Sequence, residues 1–462
     1  AGGGRPEPFL ELELRFAGVA WGEEDFALAY EYWYETRQER TWVIDPRAPM
    51  KKTILFDRNS DDSYGDPGDP VTRKNAFGNH VVATFEDKSK ILLTGTGATP
   101  EGNFPFLDVF DLRTKEARRV WQSQPPHHES VGGWVFNAPE DGSALALENL
   151  QMLMTRESQT ETSQAYLLDW TARGLAQPPR ETRLTDFPHP YPGLEGLQKQ
   201  ILRYERADGC ALTSTLYTPP GYNPERDGPL PCILWAYPKE YTTRETAGQM
   251  RRTSFSFPAI GSYSPLLWLT QGYAVLQGAT MPIVGEGDEK PNDSYVEQLV
   301  ASAEAHVAEV VKRGVVDPAA VAVGGHSYGA FMTANLLIHA PHLFCCGIAQ
   351  SGAYNRSLTP WGFQSEDRSL WEAPQVYSDM SPFMNADKMR KPLLLIHGED
   401  DNNAGTLTMQ SERLFSALKG HGVECRLVLL PHESHGYRGR ESILHVLHET
   451  GEWLQKYCRR EP

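Results

Sequence analysis

The sequence predicts two joined folds: an all-β region over residues 1–190 and an α/β region with a mostly parallel sheet over residues 191–462. Three observations carry this reading. Short strand-like runs fill the first part, strands alternate with helices in the second, and a proline-rich stretch without periodicity, "AQPPRETRLTDFPHPYPG" at 176–193, lies between them. At 462 residues the chain exceeds one ordinary domain and has ample material for a buried core.

In the first region the runs "TWVIDP", "TILFDR", "HVVATF", "KILLTG", "FLDVFDL", "ALALEN" and "QAYLLDW" are short and apolar, with Gly, Pro, Asn and Asp between them. Runs of this length bounded by turn residues read as antiparallel strands. A faint repeat links them, because apolar strands end in Asp45, Asp111 and Asp169, each followed by a polar turn and another short apolar run. Its spacings of 66 and 58 residues are near the length of a four-stranded propeller blade with its loops, so about three blades fit. A plain antiparallel sheet or sandwich is the other arrangement the pattern admits.

In the second region "CILWAY", "YAVLQG", "VAVGG", "PLLLIHG" and "CRLVLLP" are continuous apolar strands with helical stretches between them, the pattern of a sheet covered on both faces. The clearest helix carries Val296, Leu299, Val300, Ala303, Val307, Val310 and Val311 on one stripe. After it comes "VAVGGHSYGA" at 321–330, a Gly-x-Ser-x-Gly motif between a strand and a helix. Such a serine sits on a sharp turn that needs small neighbours, here Gly325 and Gly329, and leaves its hydroxyl exposed at the sheet's carboxyl edge. The helix starts just past Ser327, so the Tyr328 N–H faces any negative charge that forms there.

A serine hydroxyl needs a base, and the base needs an anchor. In an α/β-hydrolase these follow in the order Ser, Asp, His. Downstream, "LLLIHG" runs into Glu399, Asp400 and Asp401, and "LVLLP" runs into "HESHGY" with His432 and His435. Position alone leaves both the acid and the base open.

The formal net charge of −16 argues against a nucleic-acid partner and repels acidic peptides at long range. The six cysteines (Cys210, Cys232, Cys345, Cys346, Cys425 and Cys458) show no CxxC spacing, which points to a reducing compartment and no zinc. No apolar run reaches the roughly 20 residues that span a bilayer, and no signal segment is visible, so a soluble protein without membrane partners is expected. The start "AGGGRPEPFL", without an initiator Met, fits a processed form or a fragment.

The segments "DGCALTSTLYTPPGY", "GGHSYGAFMTANLL", "LLIHGEDDNNAGT" and "LPHESHGY" resemble the prolyl-oligopeptidase family of serine peptidases, and within it the glutamyl endopeptidases, chloroplastic in plants. The resemblance runs from about residue 195 to the end and more loosely through the blade-like runs. It implies an α/β-hydrolase domain preceded by a partial β-propeller, peptide or protein substrates, no cofactor and no metal. It selects Asp401, four residues after His397, as the acid of the triad, and His435, directly before a Gly, as the base. It implies Tyr237, in "CILWAYPKE", as a second oxyanion donor beside the Tyr328 N–H. It also implies a location in the chloroplast stroma, the cytoplasm being the alternative.

Glutamyl specificity demands a fixed cation for the substrate carboxylate. Arg356, in "SGAYNRSLTP" at the next strand's end, is the first candidate, and Lys239, Arg251 and Arg252 are the others; an ordinary surface charge is the plainer reading of each. The run "GATMPIVGEGDEKPND" departs from the Arg-Gly segment of many relatives, and Glu286, Asp288 and Glu289 read as a solvated loop. A full propeller needs about twice the blades that fit before residue 190, so open sheet edges, poorer solubility and self-association into a homo-oligomer are expected. Two rival functions fit the same core. A carboxylesterase or lipase would share the triad, and a catalytically silent scaffold would keep only the fold.

Overall fold

In the computed structural model, residues 7–22, 25–86, 88–135, 145–171 and 173–459 are described. By its contacts the chain divides into two compact units. One runs to Pro190 and takes in Gln249–Phe257; the other comprises Tyr191–Gly248 and the chain from Pro258 onward.

In the first unit the alternating runs form three larger antiparallel sheets. The first joins Arg15–Trp21, Ala27–Trp33, Gln38–Ile44 and Thr53–Asn59 in that order. The second runs from Ala117–Gln122 through Phe106–Asp111 and Lys90–Gly95 to Asp69–Pro70, and the third joins His128–Val135, Gln151–Glu157, Gln164–Asp169 and Arg180–Arg183.

Period-two alternation makes the middle sheet apolar on both faces. Ile91, Leu93 and Phe110 pack with Phe26, Leu28 and Leu55 of the first sheet. Leu92, Leu107 and Val109 pack with Met152, Met154, Leu168 and Trp170 of the third. Four-stranded sheets stacked face to face in sequence order are how propeller blades are built. The aspartate repeat has a structural cause, since each one stands at the end of the last strand but one of its sheet. Asp45, Asp111 and Asp169 each accept the backbone N–H two residues on, from Arg47, Arg113 and Thr171, at 2.9, 2.8 and 2.8 Å.

One predicted strand is different. Of "ALALEN", Ala144 lies outside the described residues, Leu145 makes an isolated bridge to Phe85, and Leu147–Asn149 is a single 3₁₀ turn. Its leucines alternate because Leu145 and Leu147 both plug the core between the second and third sheets, and no ladder is involved. Gln249–Phe257 joins this unit through Arg251, whose Nε donates to Ser63 Oγ at 2.8 Å and whose Nη2 donates to the Asp61 carbonyl at 2.7 Å.

The second unit is built on one eight-stranded sheet. Its strands are β1 (Gln198–Glu205), β2 (Ala211–Thr218), β3 (Leu230–Tyr241), β4 (Ala274–Val284), β5 (Val316–His326), β6 (Cys346–Gln350), β7 (Leu393–Gly398) and β8 (Cys425–Leu430), in the spatial order β1-β2-β4-β3-β5-β6-β7-β8. Only β2 pairs antiparallel to its neighbours β1 and β4; the other pairs are parallel.

Successive strand residues alternate between two cores. Leu234, Val323 and Leu395 face helices α1 (Tyr295–Lys312), α2 (Tyr328–His339) and α3 (Met409–Gly420). Ile233, Ala322 and Ile396 face α4 (Arg440–Tyr457) on the other side. Strands buried on both faces cannot alternate apolar with polar, so they read as unbroken apolar runs. The predicted stripe on α1 is its inner face: Leu299, Ala303, Val307 and Val310 are buried, and Val296, Val300 and Val311 pack at their edge. β3, β5, β6 and β7 all run the same way, so their carboxyl ends share one edge, where an open α/β sheet holds its ligands.

Candidate active site

The strand β5 ends at His326, and the chain turns at Ser327 directly into α2. Ser327 holds φ 58° and ψ −116°, a positive φ that few non-glycine residues adopt. The turn is pinned by the Ser327 N–H, which donates to the Gln350 carbonyl of β6 at 2.8 Å. Its tightness explains both glycines of the motif. A Cβ on Gly325 would lie 2.5 Å from the Gly329 carbonyl carbon, and a Cβ on Gly329 would lie 2.4 Å from the Ala236 oxygen. No side chain fits at either place.

Beyond β7 the acidic cluster separates by burial. Glu399 and Asp400 are exposed, whereas Asp401 is 5% exposed. Asp401 Oδ2 accepts from His435 Nδ1 at 2.8 Å, and Oδ1 accepts the Asn403 N–H at 3.0 Å. The other pair left open by the sequence is on the surface, with the His432 side chain 95% exposed and its Nδ1 3.8 Å from Asp400. Gly398 makes the Asp401–His435 pairing possible, because a Cβ there would meet the carbonyl oxygens of Glu433 and Ser434 at 2.3 Å each. The segment bearing His435 can therefore cross the end of β7.

His435 is also tied to the serine turn. The neutral imidazole of His326, next to Ser327, donates Nε2–H to the His435 carbonyl at 2.7 Å, and the two ring centroids are 4.7 Å apart. Burial holds His326 below the ordinary imidazole value, which keeps it neutral. Burial alone would raise the Asp401 carboxyl, but hydrogen bonds from His435 and the Asn403 N–H, with the electrostatic pull of the neighbouring imidazoles, bring it below the usual carboxylate value. An ionised carboxylate beside His435 is thus built in.

Tyr328, the first residue of α2, has an N–H that no intrahelical carbonyl reaches. Its phenol is buried and donates to Glu240 Oε1 at 2.7 Å. Tyr237, on the same strand as Glu240, is 52% exposed and meets the Tyr328 ring edge-on at 5.8 Å. Glu240 therefore joins the strand that carries one candidate oxyanion donor to the residue that carries the other. Nothing in "WAYPKE" marks it, because its partner lies on another element 88 residues away.

Arg356 is 4% exposed. Its guanidinium lies 4.1 Å from the Phe331 ring centroid, 4.4 Å from that of Phe363 and 5.4 Å from that of Tyr328. Among the described residues its Nε has no hydrogen-bond partner, and no carboxylate stands within ion-pair distance. Burial lowers its ordinarily very high pKa, a mark of the desolvation this cation bears. The other candidate cations are placed differently. Lys239 is exposed, with Nζ 4.7 Å from the Tyr241 ring centroid, and Arg251 and Arg252 belong to the first unit. Glu286, Asp288 and Glu289 are exposed, and Glu286 accepts the Arg244 N–H at 2.8 Å. Among the described residues no group of three or more His, Cys, Asp or Glu side chains is arranged to hold a metal ion.

Residues 286–461 match the prolyl oligopeptidase family. The chain is 57% identical over 460 residues to a protein of Oryza sativa subsp. japonica named "Probable glutamyl endopeptidase, chloroplastic", covering 99% of this chain and 48% of that one. It is 56% identical over 461 residues to the Arabidopsis thaliana protein of the same name, covering 99% and 47%. The chain thus spans about half the length of these relatives. Among solved structures, dipeptidyl peptidase 4 of Porphyromonas gingivalis superposes with a TM-score of 0.62 at 14% identity, over 97% of this chain and 65% of that one. At that identity the likeness speaks for the fold alone.

Proposed function

We propose, from the match of residues 286–461 to the prolyl oligopeptidase family, that the chain hydrolyses peptide bonds through an acyl-enzyme on Ser327, with preference for glutamate before the scissile bond. The observation that carries the reading is the hydrogen bond of 2.8 Å between the buried Asp401 and the partly exposed His435, on a segment hydrogen-bonded to the residue beside Ser327. With Nδ1–H given to Asp401, the lone pair of His435 Nε2 is the proton acceptor. It takes the Ser327 proton as Oγ bonds to the substrate carbonyl carbon. The oxyanion is held by the Tyr328 N–H and the Tyr237 hydroxyl. His435 then returns the proton to the leaving nitrogen as the C–N bond breaks, and water releases the acid by the same steps.

The preference for glutamate rests on Arg356. A buried cation without an anionic partner carries a desolvation penalty of several kcal/mol, which an incoming carboxylate would offset by charge-assisted hydrogen bonding. Its neighbour Tyr328 is the residue that follows the nucleophile, so the charge lies close to the reacting centre. Lys239 is less favoured on its exposure, and Arg251 because its guanidinium already donates to Ser63 and to the Asp61 carbonyl. Plastid location is proposed on the relatives' names alone.

The test compares a peptide-Glu-anilide with a short neutral ester, using Ser327→Ala as the blank. Arg356→Ala is expected to lose kcat/KM on the anilide by about 10²-fold or more while changing ester hydrolysis by less than about threefold. Equal losses on both substrates would place the carboxylate elsewhere. Ester turnover in a chain with no anilide turnover would favour an esterase.

A further inference from the structure

Asp401 receives more donors than the base alone supplies. Besides His435 Nδ1, its Oδ2 accepts from His397 Nε2 at 3.0 Å and from Thr406 Oγ1 at 3.2 Å. His397 lies on β7, four residues before Asp401, and is fully buried. Its Nε2 is also 2.7 Å from the Thr406 carbonyl. Both of these partners can only accept, so Nε2 carries the proton, and Nδ1 accepts from Ser411 Oγ of α3 at 2.7 Å. Burial holds the His397 imidazole below its ordinary value, against the pull of Asp401, so it serves as a neutral donor. The other titratable groups acting here are His435, His326 from β5, and Tyr437, whose hydroxyl donates to the Ile396 carbonyl.

We propose that His397 is a positioning residue of the reaction, whose Nε2–H fixes Asp401 Oδ2 against His435 Nδ1. This rests on the triad proposed above. A second imidazole on the same oxygen does two things. It adds a fixed donor to the oxygen that faces the base, where His435 and the Thr406 hydroxyl are otherwise the partners while the Asn403 N–H holds Oδ1, and it withdraws charge from that oxygen. Without it the carboxylate becomes more basic and holds the charged form of His435 more tightly. The base then releases its proton only at higher pH, so the acid limb of kcat/KM moves up. A residue that merely filled space would lower activity evenly across pH.

The experiment uses the full chain with His397→Met, which keeps volume but has no donor, and His397→Gln, whose amide N–H can stand where Nε2–H stands. Thermal unfolding checks the fold, and kcat, KM and the pH profile are read on the peptide-Glu-anilide. For Met, kcat is expected to fall about tenfold or more with KM nearly unchanged, and the acid limb to rise by about half a pH unit or more. Gln is expected to restore most of both. If the Met variant does not fold, His397→Asn, whose amide is too short to reach Asp401, takes its place against Gln. A donor-free variant with wild-type kcat and acid limb overturns the proposal, as do equal losses in both variants with the limb unmoved. A wild-type chain that neither turns over substrate nor reacts with a fluorophosphonate overturns the triad itself, a separate outcome.

Discussion

Ser327 has a backbone angle that its own chemistry does not favour. At φ 58° and ψ −116° a residue with a Cβ bears about 1–3 kcal/mol of strain, held by the surrounding ladder and the 2.8 Å bond from its N–H to Gln350. Ser327→Gly and Ser327→Ala both delete the hydroxyl, but only glycine relaxes the angle. Glycine also costs unfolded-chain entropy, which returns part of the gain. Ser327→Gly is therefore expected to be more stable than Ser327→Ala by about 1 kcal/mol, read from denaturant midpoints at equal slope. An alanine variant as stable as the glycine one would mean that the turn is relaxed. The same scale shows where the sequence could be read and where it could not. Ser327 announces itself through its two glycines. Arg356 does not, because its burial comes from Phe331, Phe363 and Tyr328, aromatic rings outside its own strand-end segment that no local pattern connects to it. Position in the chain likewise does not separate Asp401 from Asp400; the resemblance selects Asp401, and the physical difference between the two is the burial created by the fold.

At the scale of elements, the site depends on how closely α2 approaches β3. Gly329 lies on the first turn of α2, where an added Cβ would stand 2.4 Å from the Ala236 oxygen, a backbone atom that cannot swing aside. Gly329→Ala must push the helix away from the strand that carries Tyr237. It is expected to cost about 1–3 kcal/mol of stability and roughly 10²-fold in kcat, since misplacement by about 1 Å is enough for that loss. Gly193→Ala, which meets nothing within 4 Å, is the control and should stay within about 0.5 kcal/mol. A Gly329 variant with full activity would show that the approach is not needed. Elements with a strong period were the legible ones: α1 and the parallel strands follow from runs whose burial is set by their own sequence. "ALALEN" misleads because two alternating leucines can fill a gap between sheets as well as line a strand. Nor does any local mark show that Gln249–Phe257 folds with the first unit, since that follows from hydrogen bonds to residues nearly two hundred positions away.

Across the whole molecule the proposed preference meets an opposing field. The chain carries a net charge of −16, and a substrate with a free glutamate carboxylate approaches against it. Over distances beyond the Debye length, about 10 Å at 0.1 M salt, that repulsion is screened, whereas the final contact with the buried Arg356 is screened much less. Salt therefore removes the obstacle and largely spares the attraction. Between about 20 and 200 mM salt, kcat/KM on the peptide-Glu-anilide is expected to rise roughly two- to fivefold, with the neutral ester nearly flat. The slope should persist in Arg356→Ala, because it arises from the distributed charge and not from the cation in the pocket. A kcat/KM on the anilide that falls with salt would mean that a local positive field at the entrance outweighs the net charge, and a slope lost with Arg356 would identify that residue as its source.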